Sequence, residues 1–295
     1  MTTGILNLDK PQGWTSHDVV ARVRRLTGER RVGHAGTLDP LATGVLLICL
    51  GAATRLVEYL QASQKTYRAT VRLGLATTTD DAEGEVMASR PVPPLTEADV
   101  ERVLVAFRGT ISQRPPAHSA IKQDGVPLYR RARRGEKVEA PPRTVTIYEL
   151  NVVAWMPPDL MLQITCSSGT YIRSLARDLG ERIGCGGHLA GLCRTASGRF
   201  RLEDAVSWER LASAVARGEW ERLVQPPHLA LEGFTCVMVD SGDEERLRHG
   251  MAISCPVPPP AEHGYALSAS GDIVALLRYD VERHAWHPHK VLARS

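Results

Sequence analysis

The sequence predicts an α+β protein: a mixed, largely antiparallel central sheet with flanking helices, followed by a small β-barrel-like domain. Three observations point there. Helical and alternating apolar periods interleave as far as residue 232, and the strands are joined by hairpin-like returns, not by the regular crossovers of a doubly wound sheet. From Phe234 the character changes to short strands at close spacing, broken by Gly and Pro. The chain, at 295 residues, also exceeds the usual size of one domain. The expected division is therefore 1–232 and 233–295.

ILNLDK, from Ile5, reads as a short strand stopped by Pro11. SHDVVARVRRLTG follows as a helix with Ser16 as N-cap, Val19, Val20, Val23 and Leu26 on one face, and Gly28 as its stop. A glycine-rich loop, GHAGTLDPLATGVL from Gly33 to Leu46, runs into the apolar strand VLLICLG. ATRLVEYLQ is helical. In KTYRATVRLGL, Tyr67, Ala69, Val71 and Leu73 fall on one side of a strand, and Lys65, Arg68, Thr70 and Arg72 are assigned to the polar side. TTTDDAEGE reads as a turn-rich loop. A helix from Thr96 to Phe107 carries Val100, Val103, Leu104 and Phe107 at helical spacing. RPPAHSAIK and LYRRARRGEKVEAPPR look like excursions from the core, the second forming an insertion over 124–143. TVTIYELNVV and LMLQITCSSG are strands, TYIRSLARDLGERIG is a helix from Thr170, and LAGLCRTASGRF supplies further strand. The helical pattern weakens over 204–223. In the tail, FTCVMVD, AISCP, GYALSA and DIVALLRYD are strands, DEERLRHG one helical turn, and VLARS the final strand.

Composition narrows the function. The formal charge of +3 is too mild to mark a nucleic-acid binder, but its distribution is uneven. Between Arg108 and Arg143 there are nine Lys/Arg against three acids, the footprint expected for phosphate contact or simply a solvated face. The N-terminus has neither a basic start nor a long apolar stretch, so no signal peptide is expected and a cytoplasmic location is. Six scattered cysteines fit reduced thiols there. Cys185, His188 and Cys193 match no standard zinc spacing, and no metal site is expected. GxSxG, GxxxxGK[ST], HExxH and a dinucleotide fingerprint are all missing.

Asp39 is the residue that asks for an explanation. Its position before Pro40 restricts it to extended geometry, and Gly33, Gly36 and Gly44 permit unusual dihedrals around it. Such a loop can close a turn, as Asp-Pro often does, or aim one carboxylate at a cleft. Arg173, near a helix start, either faces Asp39 and keeps it ionised or pairs on the surface with Asp178 or Glu181. Tyr67 either packs in the core or presents its ring to a base.

The loop GHAGTLDPLATGVL closely resembles the signature loop of the TruB family, the bacterial tRNA pseudouridine-55 synthases. NLDKPQGWTSHDVV, KTYRATVRLG, SAIK, GTYIRSLARDLG and HLAGLCRT resemble further family blocks in the family's order, together spanning roughly residues 4 to 200. Ala35 and Thr37 are conservative variants within the loop. The tail resembles, less strongly, a PUA domain, an RNA-binding β-barrel. The resemblance implies a pseudouridine synthase fold and isomerisation of uridine 55 in the tRNA T-loop. The base leaves carbon 1′ through nitrogen, turns, and reattaches through carbon 5, with no cofactor and no metal. It makes Asp39 the catalytic aspartate, with attack on the sugar, attack on the ring and a glycal route all left open. It gives Tyr67 a role in stacking and proton transfer, pairs Arg173 with the aspartate, and has Leu192 line the pocket. His34 would help hold the target nucleotide out of its stack. Tyr171, Lys122, Arg131, Arg133 and Arg134 are expected to bind substrate, the arginines from a segment that resembles the family's mobile thumb. The implied partner is the T-arm stem-loop of tRNA, bound by a monomer with no obligatory protein partner and no membrane, and the family also assists tRNA folding. Two rival functions are an RNA-folding factor and the catalytic subunit of a guide-RNA particle. The insertion at 124–143 and the lack of Lys-rich tails argue against the second.

Overall fold

The computed structural model describes residues 2–119, 122–123, 125–128, 131, 134, 136 and 140–292. Its larger sheet has nine strands: β1 (Gly4–Lys10), β2 (Val32–Ala35), β3 (Thr43–Leu50), β4 (Lys65–Leu73), β7 (Gly109–Gln113), β10 (Arg143–Met156), β11 (Asp159–Cys166), β12 (Gly187–Ser197) and β13 (Phe200–Arg201). Among the described residues two hairpins lie outside it, β5 (Leu75–Thr77) with β6 (Val86–Ser89), and β8 (Lys122–Gln123) with β9 (Val126–Pro127). The main order is β1-β3-β12-β4-β11-β10-β7, with β2 on β3 and β13 on β12. Every pairing in this sheet is antiparallel but one: β12 runs parallel to β3 where Cys193 and Arg194 face Thr43 and Gly44. The α+β expectation holds.

One face of this sheet packs on α1 (Ser16–Thr27), α3 (Glu97–Leu104), α4 (Ile172–Ile183) and α5 (Trp208–Ala216), through Leu6, Leu8, Val19, Val23, Val100, Leu175, Leu179 and Leu211. On the other face, Ile5, Leu47, Leu56 and Leu60, the last from α2 (Val57–Ala62), share a core with Ile273, Leu276 and Leu292 of the C-terminal region. That region holds a five-stranded sheet, ordered β14 (Thr235–Met238), β16 (His263–Leu267), β17 (Ile273–Asp280), β18 (Ala285–Val291), β15 (Ile253–Ser254), with α6 (Ser241–Arg248) against it. Its own core includes Leu247, Val274, Leu277 and Trp286. Among the described residues, no helix is long and apolar enough to cross a membrane.

Several local expectations need correction. The N-cap of α1 is Thr15, not Ser16: its hydroxyl accepts from the Asp18 amide while the Asp18 carboxylate accepts from the Thr15 amide, a reciprocal box that the sequence TSHD also permits. Lys65 lies on the buried side of β4 with Tyr67, since both are odd-numbered on a strand of period 2. Its ammonium donates to the carbonyls of Leu60, Gln61 and Ser63, closing the C-terminal end of α2. The weak pattern near 204–223 contains a real helix, α5, capped by Ser207. The tail helix spans Ser241–Arg248, two turns instead of one. The final strand is Ala285–Val291, so VLARS meets it only at Val291, and Ala293–Ser295 lie outside the described residues.

The placement of α4 matters most, because it carries Arg173. Gly180, inside this helix, lies against the chain that turns into β12: a Cβ there would come 2.2 Å from Gly186 C and Gly187 N. Alanine would add about 1 kcal/mol of helix propensity, but backbone at that distance must move. We expect Gly180→Ala to lose about 2 kcal/mol or more in urea unfolding, within the range of overpacked cores. A stabilised variant would contradict this packing.

Candidate active site

The Asp39 loop joins β2 to β3 and is tied down at each step. Gly36 (φ 96°) and Gly44 (φ 95°) take the left-handed turns at its two ends. Ser16, released from capping, is buried and bonds Leu38 twice: its hydroxyl accepts from Leu38 N at 2.8 Å and donates to Leu38 O at 3.1 Å. Lys10, fully buried, donates from Nζ to the carbonyls of Pro11 (2.9 Å) and Trp14 (2.6 Å), and at 3.4 Å to Pro40. Gly13 N donates to Pro40 O at 2.8 Å. Asp39 is thus more than a turn closure, because its neighbours on both sides are fixed by distant segments.

Its carboxylate meets Arg173, the second residue of α4. Arg173 Nε lies 2.9 Å from Asp39 Oδ2, and Nη2 lies 3.3 Å from Oδ1, a two-point contact. The same guanidinium reaches Asp81 Oδ2 at 3.4 Å and donates to the carbonyls of Thr79 (3.2 Å) and His118 (3.0 Å). The sequence offered Asp178 or Glu181 as the alternative partner of Arg173, but Asp178 belongs to Arg177 at 2.7 Å. Arg177, one turn after Arg173, also pairs with Asp80 at 2.9 Å. Two arginines on one helix face therefore take two consecutive aspartates of TTTDDAEGE.

Asp81 is the residue that sequence reasoning missed. Its side chain is only 5% exposed, against 36% for that of Asp39, and it accepts from Thr79 Oγ1 at 2.5 Å and from Glu83 N at 3.1 Å. The loop that carries it is pinned to β12 by Ala82 N donating to Leu189 O at 3.0 Å. The run of Asp after Thr was legible as an Asx-rich turn, but its approach to Asp39 is a tertiary fact. Gln113 was missed as well. It clamps the start of α4 by donating to Tyr171 O at 3.0 Å and accepting from Tyr171 N at 2.8 Å.

These elements enclose a cavity of about 600 Å³. Asp39, Tyr67, Tyr171, Arg173 and Leu192 all line it, together with Lys65 and Arg194. Tyr67 is 8% exposed, so it serves the core and the cavity wall at once. His34 does not line the cavity; it stands on β2 edge-to-face with His17, ring centres 5.3 Å apart. Of the basic segment, Arg133 lies outside the described residues, and for Lys122 the description covers the backbone alone. Arg131 pairs with Glu136 at 2.6 Å, and Arg134 is exposed in a turn. A second carboxylate on the cavity, Glu58, is at its outer rim, exposed and ion-paired with Lys290 of β18.

The electrostatics follow from enclosure. Burial pushes the Asp39 carboxyl above its ordinary 3.8; Arg173 and Lys10 oppose this and Asp81 reinforces it. Burial brings Lys10 and Lys65 down to about 8 and His34 to about 4, leaving His34 neutral at pH 7. Burial raises the Tyr67 phenol, with the charge of Arg194 opposing. The arrangement presents one oriented, partly desolvated carboxylate beside an aromatic ring, in a cavity that accepts a group of nucleotide size.

Residues 24–172 match the TruB family pseudouridylate synthase N-terminal domain, and 173–232 match the tRNA pseudouridylate synthase B C-terminal domain. The tRNA pseudouridine synthase B of Thermobifida fusca is 49% identical over 263 residues, covering 86% of this chain and 87% of that one. That of Moorella thermoacetica is 44% identical over 307 residues, covering 99% and 100%. Among solved structures, an H/ACA RNP bound to a substrate RNA containing 2′-deoxyuridine superposes with a TM-score of 0.75 at 25% identity, covering 99% of this chain and 86% of that one. A Cbf5-Nop10-Gar1 complex gives 0.74 at 27%, covering 99% and 85%.

Arg173 is the only cation bridging Asp39 and Asp81 among the described ion pairs. Arg173→Met leaves both acids without their shared partner. We expect a loss of about 3 kcal/mol at pH 7, the lower end of the buried-pair range because Asp39 is partly exposed. The deficit should shrink as pH falls: burial already raises the Asp39 pKa in the parent and Arg173 opposes it, so without Arg173 it rises further and the variant is relieved by protonation at a pH where the parent is still ionised. Urea titrations at pH 7 and near 4.5 measure this; a deficit that does not depend on pH would contradict it.

Proposed function

The chain belongs to the TruB family of pseudouridylate synthases, and from that premise we propose that it converts uridine 55 in the T-loop of tRNA to pseudouridine with Asp39 as its catalytic carboxylate. The coarser statement, an isomerase that makes pseudouridine in tRNA, follows from the family and from the relatives' identity over most of the chain. The observation that carries the role of Asp39 is the two-point contact of Arg173 on its carboxylate at the wall of the cavity, while the choice of uridine 55 rests on the family resemblance of the loop.

The reaction moves no group between molecules. The C1′–N1 bond breaks, the base turns, C1′–C5 forms, the C5 proton leaves and N1 gains one. One carboxylate beside the ribose and one wall for the base are enough. Arg173 keeps Asp39 anionic and aimed, while the raised pKa that burial causes keeps it basic enough to exchange a proton. Glu58 suits this role less, being exposed at the rim and neutralised by Lys290. Tyr67 offers the face on which the flipped uracil stacks, and Leu192 and Tyr171 complete the apolar wall. The target must leave the T-loop stack to reach them, at a cost of a few kcal/mol (~2–4) recovered through stacking and pocket contacts. His34, beside the Asp39 loop but off the cavity lining, supports the extruded strand and not the base itself.

The basic segment 124–143, with Lys122, Arg131, Arg133 and Arg134, acts as a thumb against the T-arm phosphates. Residues 233–295 form an RNA-binding domain of the PUA kind against the acceptor end, packed on the larger domain through a shared core. The ion pair of Lys290 with Glu58 supports this by placing that sheet beside the cavity rim. The chain works as a cytoplasmic monomer without a guide RNA or an obligatory protein partner. Independence from a guide RNA is supported by 44% identity to the tRNA enzyme of Moorella thermoacetica over the whole length, against 25–27% for the H/ACA and Cbf5 chains.

Asp39→Asn should abolish tritium release from T-arm RNA labelled at C5 of uridine, by more than about 10³-fold, while RNA binding survives. Near-parental turnover in this variant would remove Asp39 from the reaction. Replacing Arg131, Arg133 and Arg134 together with Ala should weaken RNA binding and flatten its salt dependence by about two to three counterions. An unchanged slope would return the segment to a solvated face.

A further inference from the structure

Arg194 is 1% exposed, in the middle of the large sheet, and no sequence argument singled it out. Its guanidinium rests on carbonyls, with no carboxylate ion pair among the described residues: Nε donates to Val45 O at 2.7 Å and Nη2 to Gly36 O at 3.0 Å. Gly36 opens the Asp39 loop and Val45 follows Gly44 at its other end, so the two carbonyls bracket the loop. The fit depends on Gly44, where a Cβ would lie 2.3 Å from Arg194 O, while Gly36 lies in van der Waals reach of the guanidinium, a Cβ there standing 3.4 Å from Nη1. One residue therefore straps the loop with its side chain and abuts it with its backbone.

On its other side, Arg194 is the direct register partner of Tyr67 across the antiparallel pair of β12 and β4. Directly opposite residues in such a pair have Cβ atoms about 5 Å apart, and both side chains line the cavity. The loop carrying the carboxylate and the strand carrying the ring are thus joined through one residue. Shortening or neutralising this side chain leaves the Val45 and Gly36 carbonyls short of a donor, which costs stability. A role in the reacting geometry shows beyond that cost, as a loss of rate in a variant that still folds and still binds RNA.

We propose that Arg194 is a positioning residue: it sets the spacing between the Asp39 carboxylate and the Tyr67 ring, and so controls the rate of base transfer and not RNA affinity. The proposal rests on Asp39 and Tyr67 acting as the pair described above. Lysine keeps the charge but lacks the planar fork that spans Gly36 and Val45; glutamine loses the charge as well. Arg194→Lys and Arg194→Gln are compared with the parent in single-turnover pseudouridine formation at saturating T-arm RNA. RNA dissociation constants and thermal midpoints are measured alongside, with Asp39→Asn as control.

The rate should fall about tenfold in Arg194→Lys and about 100-fold in Arg194→Gln, as for an ångström-scale misplacement, with Kd within about threefold in both. A parental rate in Arg194→Lys, a rise in Kd that matches the loss of rate, or failure of Arg194→Lys to fold would each overturn the proposal, the last by making Arg194 a residue of the core alone. If Asp39→Asn turns over normally, the reading of the site itself fails. If Asp39→Asn is silent while Arg194→Lys behaves as the parent, only the role of Arg194 falls.

Discussion

The contact of Arg173 with Asp39 and Asp81 is the interaction on which the site depends, because it joins three segments that are otherwise remote. Asp39 arrives on the loop between β2 and β3, Asp81 on a loop pinned to β12, and Arg173 on α4, held at its start by Gln113. Two acids beside one another in a shielded place repel, and the shared guanidinium makes their proximity tolerable. The outcome is a carboxylate that stays in place without being fully neutralised. A lone Asp39–Arg173 pair would hold the acid lower, and Asp81 offsets part of that effect.

The rest of the fold can be read as support for that junction. The buried cations near the cavity are held mostly by main-chain carbonyls: Lys10 by the turn after β1, Lys65 by the end of α2, Arg194 by the two ends of the Asp39 loop. Each ties a loop or helix end to the central strands without a carboxylate ion pair of its own among the described residues. That excess positive charge suits an anionic substrate whose phosphates supply the missing counter-charge. The C-terminal sheet contributes at one remove, sharing a core with the back of β3 and α2 and ending in the Lys290 contact to Glu58.

Much of the scaffold was legible because local chemistry and tertiary placement agree there. The alternation of Tyr67, Ala69, Val71 and Leu73, the apolar run of β3, and the glycine stop at Gly28 all appear as read. Family resemblance brought Asp39, Tyr67, Arg173, Leu192 and His34 to the target nucleotide on paper, with Tyr171 expected to bind substrate; the cavity gathers all of these but His34. What escaped was decided by long-range contact. Asp81 reads as a turn residue until its loop folds against α4. Lys65 reads as polar surface by residue type, though strand parity already placed it beside Tyr67. Ser16 reads as a cap until Thr15 takes that task and frees its hydroxyl for Leu38. Arg194 carries no local signal, since an arginine on a strand gives no hint that it will be enclosed by two glycines of another segment.

The most direct test of the Asp39–Arg173–Asp81 junction is the titration of the Asp39 carboxyl carbon by ¹³C NMR, in the parent and in Asp81→Asn. The junction predicts a midpoint above 3.8 in the parent and a lower one in the variant, where Arg173 no longer divides its charge between two acids. A parental midpoint at or below 3.8, or one that Asp81→Asn leaves unmoved, would contradict it.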